Sequence, residues 1–298
     1  AVLARDLAPY EPWLASVAEE YGVPLRLPDG VPLATNPAVN AVLKLMGLMR
    51  SDSTGPSLAD GRLAVRPLLE TLRSPYFDWQ NLETGDGPLG LDSGDIRRLE
   101  RVAAQQHVVA GVQQWREALA AAVAEPGGDN GLAERGARQG PSDDWAALER
   151  LYARWERLVA RLMPLPEGTL PRYVEYLEDL LGRDPAEPRE AAEPAGLRLL
   201  HCVDAGPAVF RARDRAALWA LKSILRDLSL AEQALYPGRT LAYERFVEQV
   251  QAAVKGRAYQ PDGSGPESAV WAGSVLQARG LSFRAVAILG LCEGEFPA

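Results

Sequence analysis

Lysine is nearly missing from this chain: the basic residues are arginines except at Lys44, Lys222 and Lys255. A metal-dependent nuclease of the PD-(D/E)xK kind needs a carboxylate two residues before a lysine, so that one holds the metal while the other stabilises charge. Val42, Ala220 and Ala253 occupy those positions, which excludes that chemistry within these residues. A P-loop needs Gly-Lys-Ser/Thr, and the one Lys-Ser pair, Lys222-Ser223, follows Leu221 inside a helical pattern. No Walker A site is present. Cysteine is as scarce: Cys202 and Cys292 lie far apart without a C-x-x-C pattern, so neither a disulfide framework nor a zinc site is indicated. Both are expected to be buried thiols. His107 is expected within a helix and His201 beside Cys202 in an apolar run, neither with partners spaced for a metal or a triad. No catalytic residue and no metal ligand is expected. No apolar run approaches the roughly 20 residues of a membrane span, and the opening "AVLARD" reads as a strand rather than a signal peptide. A cytoplasmic protein without membrane partners is expected.

Net positive charge is absent too. The formal charge is -8 at pH 7, whereas free-standing nucleic-acid binders usually carry a basic surface, because counterion release supplies most non-specific affinity. That balance argues against strong DNA binding by the chain alone. "GDGPLG" (85–90) matches G-x-G-x-x-G, but Asp86 and Pro88 stand where pyrophosphate would sit and no apolar strand leads in, so it is not read as a dinucleotide loop.

What is present is ample apolar content, 47% of 298 residues, enough for a sizeable core and one to three domains at roughly 100–200 residues each. Residues 1–4 read as a strand, 9–21 as a helix with Trp13, Leu14, Val17 and Tyr21 at helical spacing, and 23–27 as a second strand. Asn36-Pro37 forms a cap and first-turn pair for a helix through Met49. Two βα units suggest a parallel sheet. Helices follow over 67–72, 95–123, 143–163, 171–181 and 213–228. In the third, Trp145, Leu148, Tyr152, Trp155, Val159 and Leu162 form a seam suited to a bundle core. Asp92/Asp95 and Asp143/Asp144 read as helix caps. The segments 124–144 and 182–196 have the composition of mobile surface loops. A helix over 241–254 and strands over 269–275 and 284–291 return the chain to an α/β pattern. The predicted fold is mixed α/β and α: a parallel-sheet portion interrupted by a large, mostly helical insertion, with bounds near 1–55, 56–235 and 236–298.

Two stretches carry a family resemblance. Residues 1–49, "AVLARDLAPYEPWLASVAEEYGVPLRLPDGVPLATNPAVNAVLKLMGLM", resemble the segment around motif IV of UvrD/Rep-type superfamily 1 helicases. Residues 274–297, "SVLQARGLSFRAVAILGLCEGEFP", are similar to their motif V region, in which Thr-x-His-x-x-Lys-Gly-Leu-Glu-Phe precedes a strand and a Gly-hydrophobic-x-Glu-Gly-x-Phe-Pro turn. "LLETLRSPYFDW" (68–79) adds a likeness to the helicase-like subunits of bacterial AddB/RexB-type helicase-nucleases. The resemblance implies a RecA-like 2A domain interrupted by a 2B-like helical insertion, within a longer protein that acts in DNA repair and recombination. By the same resemblance Arg5 is the motif IV arginine that reaches the ATP γ-phosphate. Arg279, Gly280 and Ser282 fall at nucleotide-associated positions of motif V, and Ser274 and Gln277 at positions that touch single-stranded DNA. The departures are Leu276 for the histidine, Arg279 for the lysine and Ser282 for the glutamate that helps hold the nucleotide sugar. They imply a degenerate motor. The expected role is a DNA-binding scaffold beside a partner helicase-nuclease subunit. ATP and Mg2+ belong to the parent if its motor is active, and no cofactor to this chain. The alternatives are part of an active ATP-dependent superfamily 1 helicase, or a helical protein-interaction module without a nucleic-acid role.

Overall fold

The structure, a computed structural model, describes residues 1–50, 62–124, 141–182, 196–261 and 269–292. It is mixed α/β, about 56% helical, with a small parallel sheet of four strands. In chain order the elements are β1 (Val2–Ala4), α1 (Glu11–Glu20), β2 (Leu25–Arg26), β3 (Val31–Pro32), α2 (Pro37–Gly47), α3 (Val65–Leu72), β4 (Glu83–Thr84), β5 (Gly87–Pro88), α4 (Ser93–Gln105), α5 (Val112–Ala124), α6 (Pro141–Leu162), β6 (Glu167–Thr169), α7 (Leu170–Leu181), α8 (Leu199–Ala205), α9 (Ala208–Leu235), β7 (Thr240–Ala242), α10 (Tyr243–Lys255), β8 (Ala258–Tyr259), β9 (Val270–Ser274) and β10 (Ala287–Ile288). The chain divides into two compact units, one of Ala1–Val39, Pro207–Lys222 and Ala253–Ala298, the other of Asn40–Gly206 and Ser223–Ala252.

The first unit is built on the parallel sheet, in the order β10-β1-β9-β2. Val2, Leu3 and Ala4 lie opposite Ala272, Gly273 and Ser274, while Val2 and Leu3 also pair with Ala287 and Ile288. Leu25 and Arg26 pair with Val270 and Trp271. Burial follows the centre of the sheet: Leu3, Ala4 and Ala272 are buried. A short antiparallel pair, Val31 with Tyr259 and Pro32 with Ala258, brings the start of α2 beside β8. There Asn36, 1% exposed, closes a buried polar network. Its Oδ1 accepts from the backbone N–H groups of Ala38 (2.9 Å) and Val39 (3.2 Å), capping α2 as expected. Its Nδ2 donates to Asp214 Oδ1 (3.0 Å) and Tyr259 Oη (3.1 Å), and Arg213 Nε donates to the same Asp214 oxygen at 2.9 Å.

Several expectations for this unit are corrected. On α1, Trp13, Val17 and Tyr21 are exposed, at 74%, 52% and 72%. The partly buried edge runs instead through Glu11, Leu14 and Ala18, so the packed face is turned relative to the apolar stripe. The second strand shrinks to Leu25–Arg26, and the strand expected over 284–291 to Ala287–Ile288. The latter lies at an edge with Val286, Ile288 and Leu291 all exposed. Cys292 follows that edge and is exposed, not buried.

The second unit is helical. Trp115 of α5 and Trp155 of α6 are fully buried with ring centroids 4.9 Å apart, and Trp115 Nε1 donates to the Leu63 carbonyl at 2.8 Å. Tyr173, Tyr243 and Phe246 form a second cluster, Tyr173 stacking on Phe246 at 5.3 Å. Burial pushes the Tyr173, Tyr176 and Tyr243 hydroxyls up. Each stays protonated and donates to a backbone carbonyl, Tyr243 to Met46 at 3.2 Å, Tyr173 to Leu241 at 3.0 Å and Tyr176 to Leu162. Phe246, Val247, Val250 and Val254 of α10 are fully buried, as their spacing indicates. Asp92 caps α4, its side chain accepting from Gly94 and Asp95 N–H while Asp95 reaches back to the Asp92 N–H. "GDGPLG" spans the β4–β5 hairpin and the residues after it, Thr84 facing Gly87, a geometry without the strand-to-helix turn that pyrophosphate requires.

Here too the structure departs from the periodicity. The helix expected over 95–123 is two helices, and His107, with φ 54°, lies in the turn between them rather than in a helix. His201 is exposed and Cys202 half-buried, both within α8. The α6 seam is centred on Leu151, Trp155, Leu158 and Leu162, while Trp145 is 42% exposed. The helix begins at Pro141, so Asp143 and Asp144 fall in its first turn and not at its cap. Helix α9 extends well past the expected 213–228 at both ends. Most of segments 124–144 and 182–196, and the turn at 293–297, lie outside the described residues.

Candidate functional site

Three loops leave the carboxyl ends of β1, β2 and β9 and meet around one cavity of about 300 Å³ in the first unit. Open parallel sheets bind ligands at that end, because loops there converge without being covered by the crossovers. Arg5 and Asp6 follow β1 directly, Pro28, Asp29 and Gly30 follow β2, and Ser274 ends β9 with Gln277 one turn later; all line the cavity, together with Glu11 from α1. The sequence-derived residues Arg5, Ser274 and Gln277, drawn from opposite ends of the chain, are therefore brought together. Arg279, Gly280 and Ser282 are not among the residues lining it. All three are exposed, and Gly280, at φ 82°, has open space beside it.

The loop after β9 has a local cause. Gln277 N–H donates to Ser274 Oγ at 3.2 Å, and Gln277 Oε1 accepts from Ser274 N–H at 2.8 Å. This reciprocal Ser-x-x-Gln exchange is a capping box closing a single turn, completed by Ala278 N–H to the Ser274 carbonyl at 3.1 Å. Gln277 Nε2 also donates to Asp29 Oδ2 at 2.7 Å, tying the β9 loop to the β2 loop. Gly273 leaves no room for a side chain: a Cβ would lie 2.5 Å from the Trp271 ring and 3.0 Å from Gln277 Oε1. Gly30, at φ 76°, would bring a Cβ within 2.7 Å of the Tyr259 carbonyl. Both glycines are required by close approach.

Charge around the cavity is mixed. Asp6, Glu11 and Asp29 contribute three carboxylates against the single Arg5 guanidinium. Partial burial, and then the neighbouring charge of Asp29, hold the Glu11 carboxyl above its ordinary range. Asp6 Oδ1 accepts from Ala8 N–H at 3.0 Å, fixing the turn after Arg5. These three acids escaped sequence reasoning. Asp29-Gly30 after a strand was a readable turn signal, but nothing in the spacing placed it beside Gln277. No cluster of three or more histidine, cysteine or acidic side chains suited to a metal occurs among the described residues. No helix among the described residues is long and apolar enough to cross a membrane.

No protein-family model matches the chain, and no curated protein matches it.

Proposed function

We propose that the chain is a 2A–2B-like portion of a UvrD/Rep-type module, most like an AddB/RexB-type helicase-nuclease subunit, acting as a DNA-contacting scaffold in repair and recombination. On this reading the parallel-sheet unit is the RecA-like domain and the helical unit its insertion. The observation that supports it best is the meeting of Arg5, Ser274 and Gln277 at the carboxyl ends of two paired parallel strands. A guanidinium suits phosphate because it is permanently charged and can bind two oxygens at once. The Ser274 hydroxyl adds a short donor on the same rim. Three carboxylates around Arg5 compete with phosphate for the guanidinium, which favours a module that does not turn over ATP. ATP and Mg2+ would belong to the parent's other RecA-like domain, and a partner subunit would supply the chemistry this chain lacks.

The test has two arms. The purified chain with ATP, Mg2+ and single-stranded DNA is expected to release no phosphate above background; DNA-stimulated turnover would refute the scaffold role. A labelled oligothymidylate is expected to bind in a salt-dependent manner, with affinity lowered by Ser274→Ala combined with Gln277→Ala. Equal binding by the double variant would remove these residues from the interface.

A second reading, a helical interaction module without a nucleic-acid role, is favoured by a groove of about 460 Å³ in the second unit. Val65, Leu69, Ala103 and Val108 give it an apolar floor. The ion pairs Arg66–Glu70 (3.0 Å) and Arg73–Glu100 flank it. Apolar grooves with charged rims accept amphipathic helices. Salt-dependent oligonucleotide binding by the chain counts against this reading.

A further inference from the structure

A chain of hydrogen bonds along the cavity rim ends on Ser274. It starts in the turn after β2, where Gly30 N–H closes on the Leu27 carbonyl at 3.1 Å. Gln260, just past β8, donates from Nε2 to the Leu27 carbonyl at 3.0 Å and to that of Pro28 at 3.4 Å. Gly30 packs so closely on the Tyr259 carbonyl that no side chain fits there. The turn that presents Asp29 is thereby fixed from the side of β8. Asp29 Oδ2 accepts from Gln277 Nε2 at 2.7 Å, and Oε1 of the same amide accepts from Ser274 N–H at 2.8 Å. That oxygen also rests against Gly273, where a Cβ would lie 3.0 Å away.

Both ends of the Gln277 amide are therefore engaged, whereas the Ser274 hydroxyl keeps its hydrogen to offer. Ser274 Oγ accepts from Gln277 N–H at 3.2 Å, and its own O–H has no acceptor among the described residues. Ser274 lines the cavity beside Asp29 and Gln277. Asp29 cannot serve such a rim by attracting phosphate, since like charges repel. Its charge reaches into the cavity: the Glu11 carboxyl is held above its ordinary range by partial burial and then by Asp29. What a carboxylate contributes at this place is the grip on Gln277. Resting on the reading of the cavity as a DNA-contacting rim, we infer that Asp29 and Gln277 are positioning residues, which hold the turn after β9 so that the Ser274 hydroxyl, and not the Gln277 amide, donates to a backbone phosphate of single-stranded DNA. Gln277 acts through Ser274, and Asp29 through Gln277.

The experiment exchanges the two ends of the clasp. In Asp29→Asn combined with Gln277→Glu, the new amide at position 29 donates to the new carboxylate at position 277. The link and the net charge survive, while position 277 loses its N–H donors. Binding of a labelled oligothymidylate by the 298-residue chain is read by fluorescence anisotropy at fixed salt, with circular dichroism on every variant. Gln277→Glu alone sets two carboxylates together and is expected to weaken binding by about fivefold or more, the worth of one typical net hydrogen bond. The exchanged pair is expected to return to within about twofold of wild type, as coupled residues do. Asp29→Ala is expected to bind about fivefold more weakly than Asp29→Asn, because both remove the charge and only the second keeps an acceptor for Gln277. Failure of the exchanged pair to recover at unchanged circular dichroism overturns the inference, since the Gln277 amide would then be the contact. Equal binding by Asp29→Ala and Asp29→Asn overturns it as well. A second readout needs no DNA: amide hydrogen exchange at Ser274, followed by NMR, is expected to be faster in Asp29→Ala than in Asp29→Asn, and equal rates overturn the clasp. Absence of binding by the wild-type chain would instead refute the DNA-contacting reading, and the exchange rates would still decide whether Asp29 and Gln277 hold the turn.

Discussion

Asn36 connects three parts of the chain through one amide. Its oxygen caps α2, and its nitrogen serves a buried carboxylate and a buried phenol. Asn36→Ala therefore removes a cap and leaves Asp214 with a lost donor in a site closed to water. The expected cost is about 2–4 kcal/mol, a cap plus a stranded buried polar group, read as a lowered urea midpoint at unchanged m-value. Asn36→Asp keeps the cap but sets a second carboxylate against Asp214. Glu11 gives a prediction of opposite sign to most acids. Its folded pKa is raised by partial burial and by Asp29, so the folded chain holds the proton more tightly than the unfolded chain. Stability is then expected to fall as pH rises from the ordinary carboxylate value through the raised one. Glu11→Gln should abolish that step and unfold at higher urea than wild type above it; a midpoint series against pH in both proteins checks this.

Among the elements, α4 shows what a local pattern can determine. The Asp92 side chain accepts from Asp95 and Gly94 N–H groups, and the Asp95 backbone bond holds the Asp92 carboxyl below its usual range against partial burial. The cap's contribution is present above the unfolded pKa and lost as pH falls through the depressed one. Asp92→Ala is expected to cost about 1 kcal/mol at neutral pH and less in acid, checked by thermal melts at two pH values. The Asp92 and Asn36 caps were legible because a cap is a contact between residues two or three apart; the Ser274-x-x-Gln277 box is of the same local kind but went unread. The break at His107 was not, because "AQQHVVAGV" offers no proline and its turn is set by the packing of α4 and α5. Of the expected α6 seam Trp155, Val159 and Leu162 are buried, and its Trp145 end was misread for a related reason. Trp145 and Trp155 are equally apolar by composition, and only the position of Trp115 makes one of them core.

On the scale of the whole molecule, the mixed α/β class and the parallel sheet followed from the βα pattern. The gathering of Arg5 with Ser274 did not follow from any spacing, since it depends on which strands pair across most of the chain; only the family resemblance pointed to it. The carboxylates beside Arg5 had neither signal. Surface composition yields a further expectation. The sequence pI is about 5.0, and large apolar side chains stand exposed at Trp13, Tyr21, Leu276 and Leu291. Self-repulsion vanishes near the pI while these contacts remain. Light scattering is therefore expected to rise as pH approaches 5 and to fall again by pH 7.

The position of β1 has a kinetic consequence. Both of its neighbours, β9 and β10, come from the far end of the sequence, so no native partner exists for it until nearly all these residues have been made. At roughly 5–20 residues per second, Val2–Ala4 wait on the order of tens of seconds after emerging. The helical unit, rich in nearby contacts, can settle in that time. The cavity with Arg5 and Ser274 on its rim is thus among the last features to assemble, and a ribosome-stalled chain halted before Val270 would lack it altogether.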